Sequence, residues 1–272
     1  VGFHPRNIFF NGPFKHQAET SNYLKLGVLV NIDSYDEFKW IEKFANESEV
    51  ICRIGIRLNF NLSDSPSRFG ISIDDEKIQE IIKRCNLSKF LSLESLHYHY
   101  APRELSAWKI CIERFITFLS KSNPEVYDDL KYISLGGGMF SRMDSYIEEQ
   151  LPFDIPSFND YAESSLKYFS DYLEKDTDLK SAKPEILVEP GTALASKALD
   201  FVVQVVSIKK INDITYVNTT GSKYNMNPSP NRIDSPLEIL NFSPKSSVQV
   251  TGAKLCGYTC IESDLIHNNL NS

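Results

Sequence analysis

Long apolar runs, a surplus of positive charge and a paired set of cysteines are all missing from this 272-residue chain. A membrane-crossing helix takes about 20 predominantly apolar residues, and no stretch here approaches that. The first residues show no charged-then-apolar signal. The formal net charge of -7 argues against nucleic acid or an anionic membrane as the main partner, because both are held chiefly through Lys and Arg. Cys52, Cys85, Cys111, Cys256 and Cys260 form an odd set without short paired spacings, so a reducing, cytoplasmic setting is expected rather than a disulfide framework. No G-x-G-x-x-G and no Gly-Lys-Ser/Thr run occurs, which removes the dinucleotide and Walker fingerprints. Val1-Gly2-Phe3-His4-Pro5 reads as the inside of a loop, and the chain is expected to be a fragment.

What is present suits a globular protein with a sizeable core: 42% hydrophobic and 24% charged residues. Short apolar runs at residues 7–10, 27–32, 50–58, 93–99, 132–135 and 185–188 read as strands. Between them, residues 16–26, 75–85 and 161–173 carry helical spacing. Ser34 with Glu37 three positions on is a capping-box pattern ahead of Phe38, Ile41 and Phe44. Trp108, Cys111, Ile112, Phe115, Phe118 and Leu119 mark a long amphipathic helix. Repeated β-α units imply an α/β protein with a parallel sheet, and their number favours a barrel over an open sheet. Past residue 196 the pattern changes to strands at 201–208, 214–217 and 247–251 without helices between them. The reading is therefore a barrel domain over 1–196 and a mainly antiparallel β domain over 197–272.

Four stretches are candidates for chemistry. In Glu185-Ile186-Leu187-Val188-Glu189-Pro190-Gly191-Thr192, an apolar strand expected to be buried on both faces runs into a carboxylate, and Gly191 lets backbone approach whatever Glu189 faces. An exposed acid capping a strand end is the plain alternative. In Leu96-His97-Tyr98-His99-Tyr100, alternation sends both imidazoles to one face. Two imidazoles on one face suit a metal pair or a platform for a flat ring, the metal being disfavoured because no third ligand lies nearby, while a satisfied core histidine explains either residue singly more easily than both. Gly136-Gly137-Gly138 after a strand is either a tight turn or a run of backbone N–H groups open to a phosphate. Gly257-Tyr258-Thr259-Cys260-Ile261-Glu262-Ser263-Asp264 crowds a thiol and acids into one loop. Cys256 and Cys260, four apart, are poorly spaced for zinc.

Together these stretches resemble one family, the fold-type III pyridoxal-phosphate decarboxylases, the group of diaminopimelate and ornithine decarboxylases. Its motifs have counterparts in Ser67-Arg68-Phe69-Gly70-Ile71, His97-x-His99, Gly136-Gly137-Gly138, Glu189-Pro190-Gly191 and the Cys260-x-x-x-Asp264 loop, in the family's order. The resemblance implies an alanine racemase-like (β/α)8 TIM barrel, incomplete at its N-terminus, followed by part of a C-terminal β domain. It also implies decarboxylation of an amino acid through an external aldimine and a quinonoid, with pyridoxal 5'-phosphate as cofactor. His99 would stack on the pyridine ring, Gly136, Gly137 and Gly138 would bind the phosphate with Gly191 and Thr192 beside it, and Glu189 would keep the ring nitrogen protonated. Arg57 matches an active-site strand, with a structural ion pair as the alternative. Cys260 would enter a neighbouring subunit's site as proton donor, making the working unit a homodimer, and Glu262 and Asp264 would face the substrate.

The chain also departs from the family pattern. The family's Schiff-base lysine falls before the position of Val1, and Lys15 and Lys39 lie in the wrong segments to replace it. Thr192 stands where many members carry a phosphate-binding Arg, and Tyr100-Ala101-Pro102 replaces an apolar-Gly-Ser run. Ile261 takes the place of an acid, and Asn227-Pro228-Ser229-Pro230-Asn231-Arg232 is the nearest match to an Arg-Pro segment. The expected substrate is a diaminopimelate-, ornithine- or lysine-like amino acid or, as these departures suggest, a nonstandard or carrier-linked one. An inactive subunit that pairs with an active one, and an amino-acid racemase, are the alternatives.

Overall fold

A computed structural model describes residues 2–62, 67–100, 102–122, 129–195, 198–226, 234–241 and 249–271. In chain order its main elements are β1 (Phe9–Phe10), α1 (Gln17–Leu26), β2 (Leu29–Ile32), α2 (Tyr35–Ser48), β3 (Cys52–Asn59), β4 (Ile71–Ser72), α3 (Lys77–Leu87), β5 (Leu91–His97), α4 (Leu105–Lys121) and β6 (Tyr132–Ser134). There follow α5 (Ser145–Glu148), α6 (Phe158–Tyr161), α7 (Lys167–Lys175), α8 (Thr177–Ala182), β7 (Glu185–Leu187), α9 (Thr192–Ala195), β8 (Val205–Ile211), β9 (Ile214–Thr219), α10 (Lys223–Met226), β10 (Ala253–Cys256) and β11 (Leu265–Leu270). The chain divides into two compact units, one of Val1–Phe140 with Pro156–Ala193, the other of Ser141–Ile155 with Leu194–Ser272.

The first unit is a parallel half-barrel sheet of order β1-β2-β3-β5-β6-β7, with β4 paired to the end of β3. Strands that follow one another in sequence sit side by side because each intervening helix packs back onto the sheet it left. Alternation sorts the residues. Val30, Ile32, Ile54, Ile56 and Leu58 join the buried core beneath the helices. Asn31, Gly55, Arg57, Ser95, His97 and Ser134 fall on the opposite face, with Asn31 opposite Gly55 and Arg57, His97 and Ser134 in one register row. The helix α4 buries Ala107, Trp108, Cys111, Ile112, Phe115, Phe118 and Leu119, the stripe its spacing predicts. At its centre the Phe115 ring meets those of Phe60 and Phe169, each at 5.6 Å.

Ser34 caps α2 by accepting from Glu37 N–H at 3.2 Å. The reciprocal arm of the expected capping box goes one residue further, since Glu37 Oε2 accepts from Asp33 N–H at 2.7 Å while Oε1 pairs with Lys15 Nζ at 2.9 Å. One end of the sheet is fastened by an ion cluster around the buried Glu94, with Arg53 buried and Lys131 exposed. Arg53 Nε donates to Glu94 Oε2 at 2.7 Å and Lys131 Nζ to Glu94 Oε1 at 2.8 Å.

Three strands differ from their sequence reading. β5 stops at His97, so His99 lies beyond the strand rather than on it. β7 is the edge of its sheet, which leaves Glu185 and Val188 exposed and Ile186 and Leu187 half-buried instead of covered on both faces. Residues 249–251 form no strand, and 247–248 lie outside the described residues. The second unit holds a four-stranded sheet, β11-β10-β9-β8, antiparallel except between β9 and β10. Val217, Val250, Ala253, Leu255 and Leu270 make its small core. The segment 141–155 belongs to this unit, where the Tyr146 ring stacks on that of His267 at 6.0 Å. Among the described residues no helix is long and apolar enough to cross a membrane.

Candidate active site

Polar side chains collect where the parallel strands of the first unit end. Asn11 follows β1, Asn31 lies in β2, Arg57 near the end of β3, His97 ends β5, Ser134 ends β6 and Glu189 lies two residues past β7. The C-terminal edge of a parallel sheet is where ligands are held in such folds, because the loops leaving it converge there.

Glu189 is the hub. Its Oε1 accepts from Asn11 Nδ2 at 2.6 Å and from Ser134 Oγ at 2.8 Å, and lies 3.2 Å from His97 Nε2. No contact with Oε2 is made among the described residues, and the side chain is 36% exposed. Burial pushes this carboxyl up, but hydrogen bonding and charge from His97, with help from Ser134 and His99, outweigh it and hold Glu189 below the usual glutamate range. His97 itself is buried: its Nε2 lies near Oε1 without the geometry of a hydrogen bond, and its Nδ1 finds no hydrogen-bond partner among the described residues.

His99 and the glycine turn form one piece. Gly137 N–H donates to His99 Nδ1 at 2.9 Å, and Glu189 N–H donates to the Gly136 carbonyl at 2.8 Å. The turn accepts only glycine. A Cβ on Gly136, whose φ is +67°, would lie 2.5 Å from the Tyr98 carbonyl, and one on Gly137 would lie 2.4 Å from the Glu189 carbonyl. His99 remains exposed, yet enough protein surrounds the ring for desolvation to lower its pKa despite the Glu189 charge. The glycine N–H groups are less available than expected from the sequence: those of Gly136 and Gly137 are spent on Ser134 Oγ and His99 Nδ1, whereas Gly138 N–H has no partner among the described residues.

Arg57 lies in the same cluster. Its buried guanidinium sits 3.4 Å from Asp33 Oδ1 and 4.6 Å from the Phe69 ring centre. Burial lowers its pKa, against the charges of Asp33 and Glu189. Asp33 Oδ1 also accepts from Gly70 N–H at 3.1 Å, which ties the Ser67–Gly70 stretch to the sheet end.

Sequence reading missed Asn11, Asn31 and Ser134. The one signal was a polar residue at the end of an otherwise apolar strand. Of the other expected site residues, Gly191 is exposed, and the side chain of Thr192, Ala101 and the Asn227 to Arg232 segment lie outside the described residues. Lys15 and Lys39 are engaged by Glu37 and Asp36. In the second unit Cys260 and Glu262 are exposed. Asp264 is not free to meet a substrate, which corrects that expectation. It is 2% exposed and accepts from Ser222 Oγ, Lys223 N–H, and the N–H and Oγ1 of Thr259. Two of these bonds, from Thr259, lie within the loop that carries Cys260.

Residues 1–196 match the pyridoxal-dependent decarboxylases over their pyridoxal binding domain. The chain belongs to this family. Diaminopimelate decarboxylase of Helicobacter pylori is 24% identical over 284 residues, which cover 100% of this chain and 65% of that relative. A relative from Niallia circulans that decarboxylates an L-glutamyl acyl-carrier protein is 22% identical, covering 82% of this chain and 52% of its own. The chain thus spans less than two thirds of the length of either. The crystal structure of the Helicobacter pylori enzyme complexed with L-lysine superimposes with a TM-score of 0.77 at 22% identity, over 100% of this chain and 66% of that one. This supports the barrel-type fold of the pyridoxal-dependent decarboxylases. The cofactor of the family is pyridoxal phosphate, and the cluster fits it. A carboxylate with one uncommitted oxygen, an exposed imidazole and a turn too tight for any Cβ meet at one strand edge.

Proposed function

We propose that this chain carries the cofactor-binding part of a pyridoxal-phosphate-dependent amino-acid decarboxylase. The observation that carries the reading is the geometry of Glu189, held through Oε1 and left with no partner at Oε2 among the described residues. Pyridoxal phosphate, when bound, supplies an electron sink for the charge left as carbon dioxide departs. Glu189 would hold a proton on the ring nitrogen, since an adjacent carboxylate favours the cationic form. A carboxylate there, rather than an arginine, favours decarboxylation over racemisation. His99 would lie flat against the ring, held by the Gly137 N–H. Gly138, Gly191 and Thr192 would meet the phosphate, and Arg57 would hold the local balance of charge beside Glu189.

Cys260 is the candidate proton donor. It is exposed and stands in a loop pinned by Asp264, and it would act in the site of a second copy within a homodimer. Glu262, exposed in the same loop, would meet the distal end of the substrate. With Ile261 in the place of the family's acid, the substrate we favour is a nonstandard or carrier-linked amino acid.

The test is to add pyridoxal phosphate to the purified full-length protein, follow the cofactor's absorbance at about 420 nm, and assay carbon dioxide release. Free diaminopimelate, ornithine, lysine and arginine are compared with a carrier-linked glutamyl group. Cofactor uptake with release from one of these supports the reading. Racemisation without carbon dioxide, or activity restored only by mixing with an active homologous subunit, overturns it.

A further inference from the structure

Two hydrogen-bond donors, Asn11 and Ser134, converge on a single oxygen of Glu189 beside the His97 ring, and one of the two comes from the far edge of the sheet. In the order β1-β2-β3-β5-β6-β7, Glu189 follows one edge strand and Asn11 follows the other. Their side chains nevertheless meet at 2.6 Å. Asn11 is itself braced, because its Oδ1 accepts from Asn31 Nδ2 at 2.5 Å. The chemistry fixes both amides. Glu189 can only accept, so Asn11 must offer its NH2 and keep its oxygen for Asn31, and Asn31 must turn its own NH2 toward Asn11. That choice leaves Asn31 Oδ1 buried without a hydrogen-bond partner among the described residues. The cost of such an atom is tolerated where something else requires the orientation.

The room for Asn31 is made by the strand beside it. Gly55 lies opposite Asn31 in the ladder, and a Cβ on Gly55 would fall 1.8 Å from Asn31 Oδ1. Glycine weakens a strand interior, so its place here goes with the close approach of the Asn31 amide. A glutamate's terminal torsion is broad and nearly two-fold, and its two oxygens would exchange freely if nothing distinguished them.

We propose that Asn11, braced by Asn31 in the space left by Gly55, is a positioning residue for Glu189: it ties up Oε1 and leaves Oε2 as the oxygen offered to the cofactor's ring nitrogen. The cofactor half of this statement rests on the function proposed above, and the Asn11–Glu189 link does not.

The experiment therefore has two arms on the full chain. In the first, without cofactor, the Glu189 carboxyl is titrated by carbon-13 NMR, with Glu189→Gln to assign the signal. His97, His99 and Arg57 are the charged or titratable groups around it and stay unchanged in every variant. Asn11→Ala removes a donor to the ionised form and raises the Glu189 pKa by about one pH unit, the size of one charge-assisted hydrogen bond. Asn31→Ala keeps the donor, loses the brace and gives a smaller rise in the same direction. If Asn11→Ala does not fold, Asn31→Ala decides. In the second arm, pyridoxal phosphate labelled with nitrogen-15 in its ring is added. Asn11→Ala binds it in full stoichiometry, with the ring signal moved toward the unprotonated position. An unmoved Glu189 titration in the folded variants, or a ring signal identical to the parent's, overturns the positioning role. A Glu189 that responds in a chain that takes up no pyridoxal phosphate overturns the cofactor reading and leaves the link standing.

Discussion

The backbone N–H of Gly137 donates to His99 Nδ1 at 2.9 Å. In the neutral ring this places the proton on Nε2 and fastens the imidazole to the turn that also accepts the Glu189 N–H. The turn, the ring and the backbone of Glu189 are thereby tied by hydrogen bonds.

Gly137→Ala tests that unit. Its Cβ would lie 2.4 Å from the Glu189 carbonyl, whereas at Gly191 a Cβ meets nothing within 4 Å. The first substitution is expected to cost about 1–3 kcal/mol and to weaken pyridoxal phosphate binding. Gly191→Ala should stay within about 0.5 kcal/mol of the parent. Thermal melts and cofactor titration of the two variants make the comparison.

Glu189→Gln keeps the shape of the site and removes the charge. Cofactor uptake should survive while turnover falls by several orders of magnitude, because the protonated ring is lost rather than the pocket. Parallel loss of stoichiometry and turnover would instead assign Glu189 a structural role.

Cys260→Ala removes an exposed thiol with no core function. Product protonation should slow or be misdirected, with cofactor affinity unchanged. Solvent-deuterium incorporation into the product reads this directly, and an unaltered pattern assigns the proton to another group.

Burial raises the Asp264 carboxyl, but hydrogen bonds from Thr259, Lys223 and Ser222 outweigh it, so its folded pKa is depressed. A depressed carboxyl stabilises the fold fully above its unfolded value, about 4, and that contribution is lost as pH falls through the folded value. Asp264→Asn presents an NH2 to donors and should destabilise the second unit by about 1–3 kcal/mol. Its melt should also lose part of the acid dependence that the parent shows below about pH 4.

Arg53 and Glu94 are both buried and 2.7 Å apart. Arg53→Met strands the carboxylate with Lys131 and Ser92 as its remaining partners, and about 3–5 kcal/mol of stability should go. The double variant Arg53→Met, Glu94→Leu should regain most of it, as measured by denaturant unfolding.

Periodicity was enough for the elements of the first unit. The α4 stripe, the capped start of α2 and the parallel strands all follow from local pattern, because a helix or strand buries the face its own spacing defines. The family motifs likewise brought Glu189, His99 and the glycine turn onto one list of residues. Pattern alone failed where an element meets its surroundings. Alternation placed His99 on a strand that ends at His97, and the apolar run 186–188 reads as covered although β7 is an edge. It left Asp264 as a candidate for substrate when four donors occupy it.

The class of the protein is legible in the chain itself, from alternating β and α segments, a carboxylate past the last parallel strand, and the glycines after β6. Which oxygen of Glu189 is free is settled by contacts made in three dimensions. That depends on Asn11, 178 residues away in the chain, and on a gap at Gly55 that admits Asn31. Partners so distant leave no local spacing to read, since their meeting is set by the curvature of the sheet that brings its two edges together.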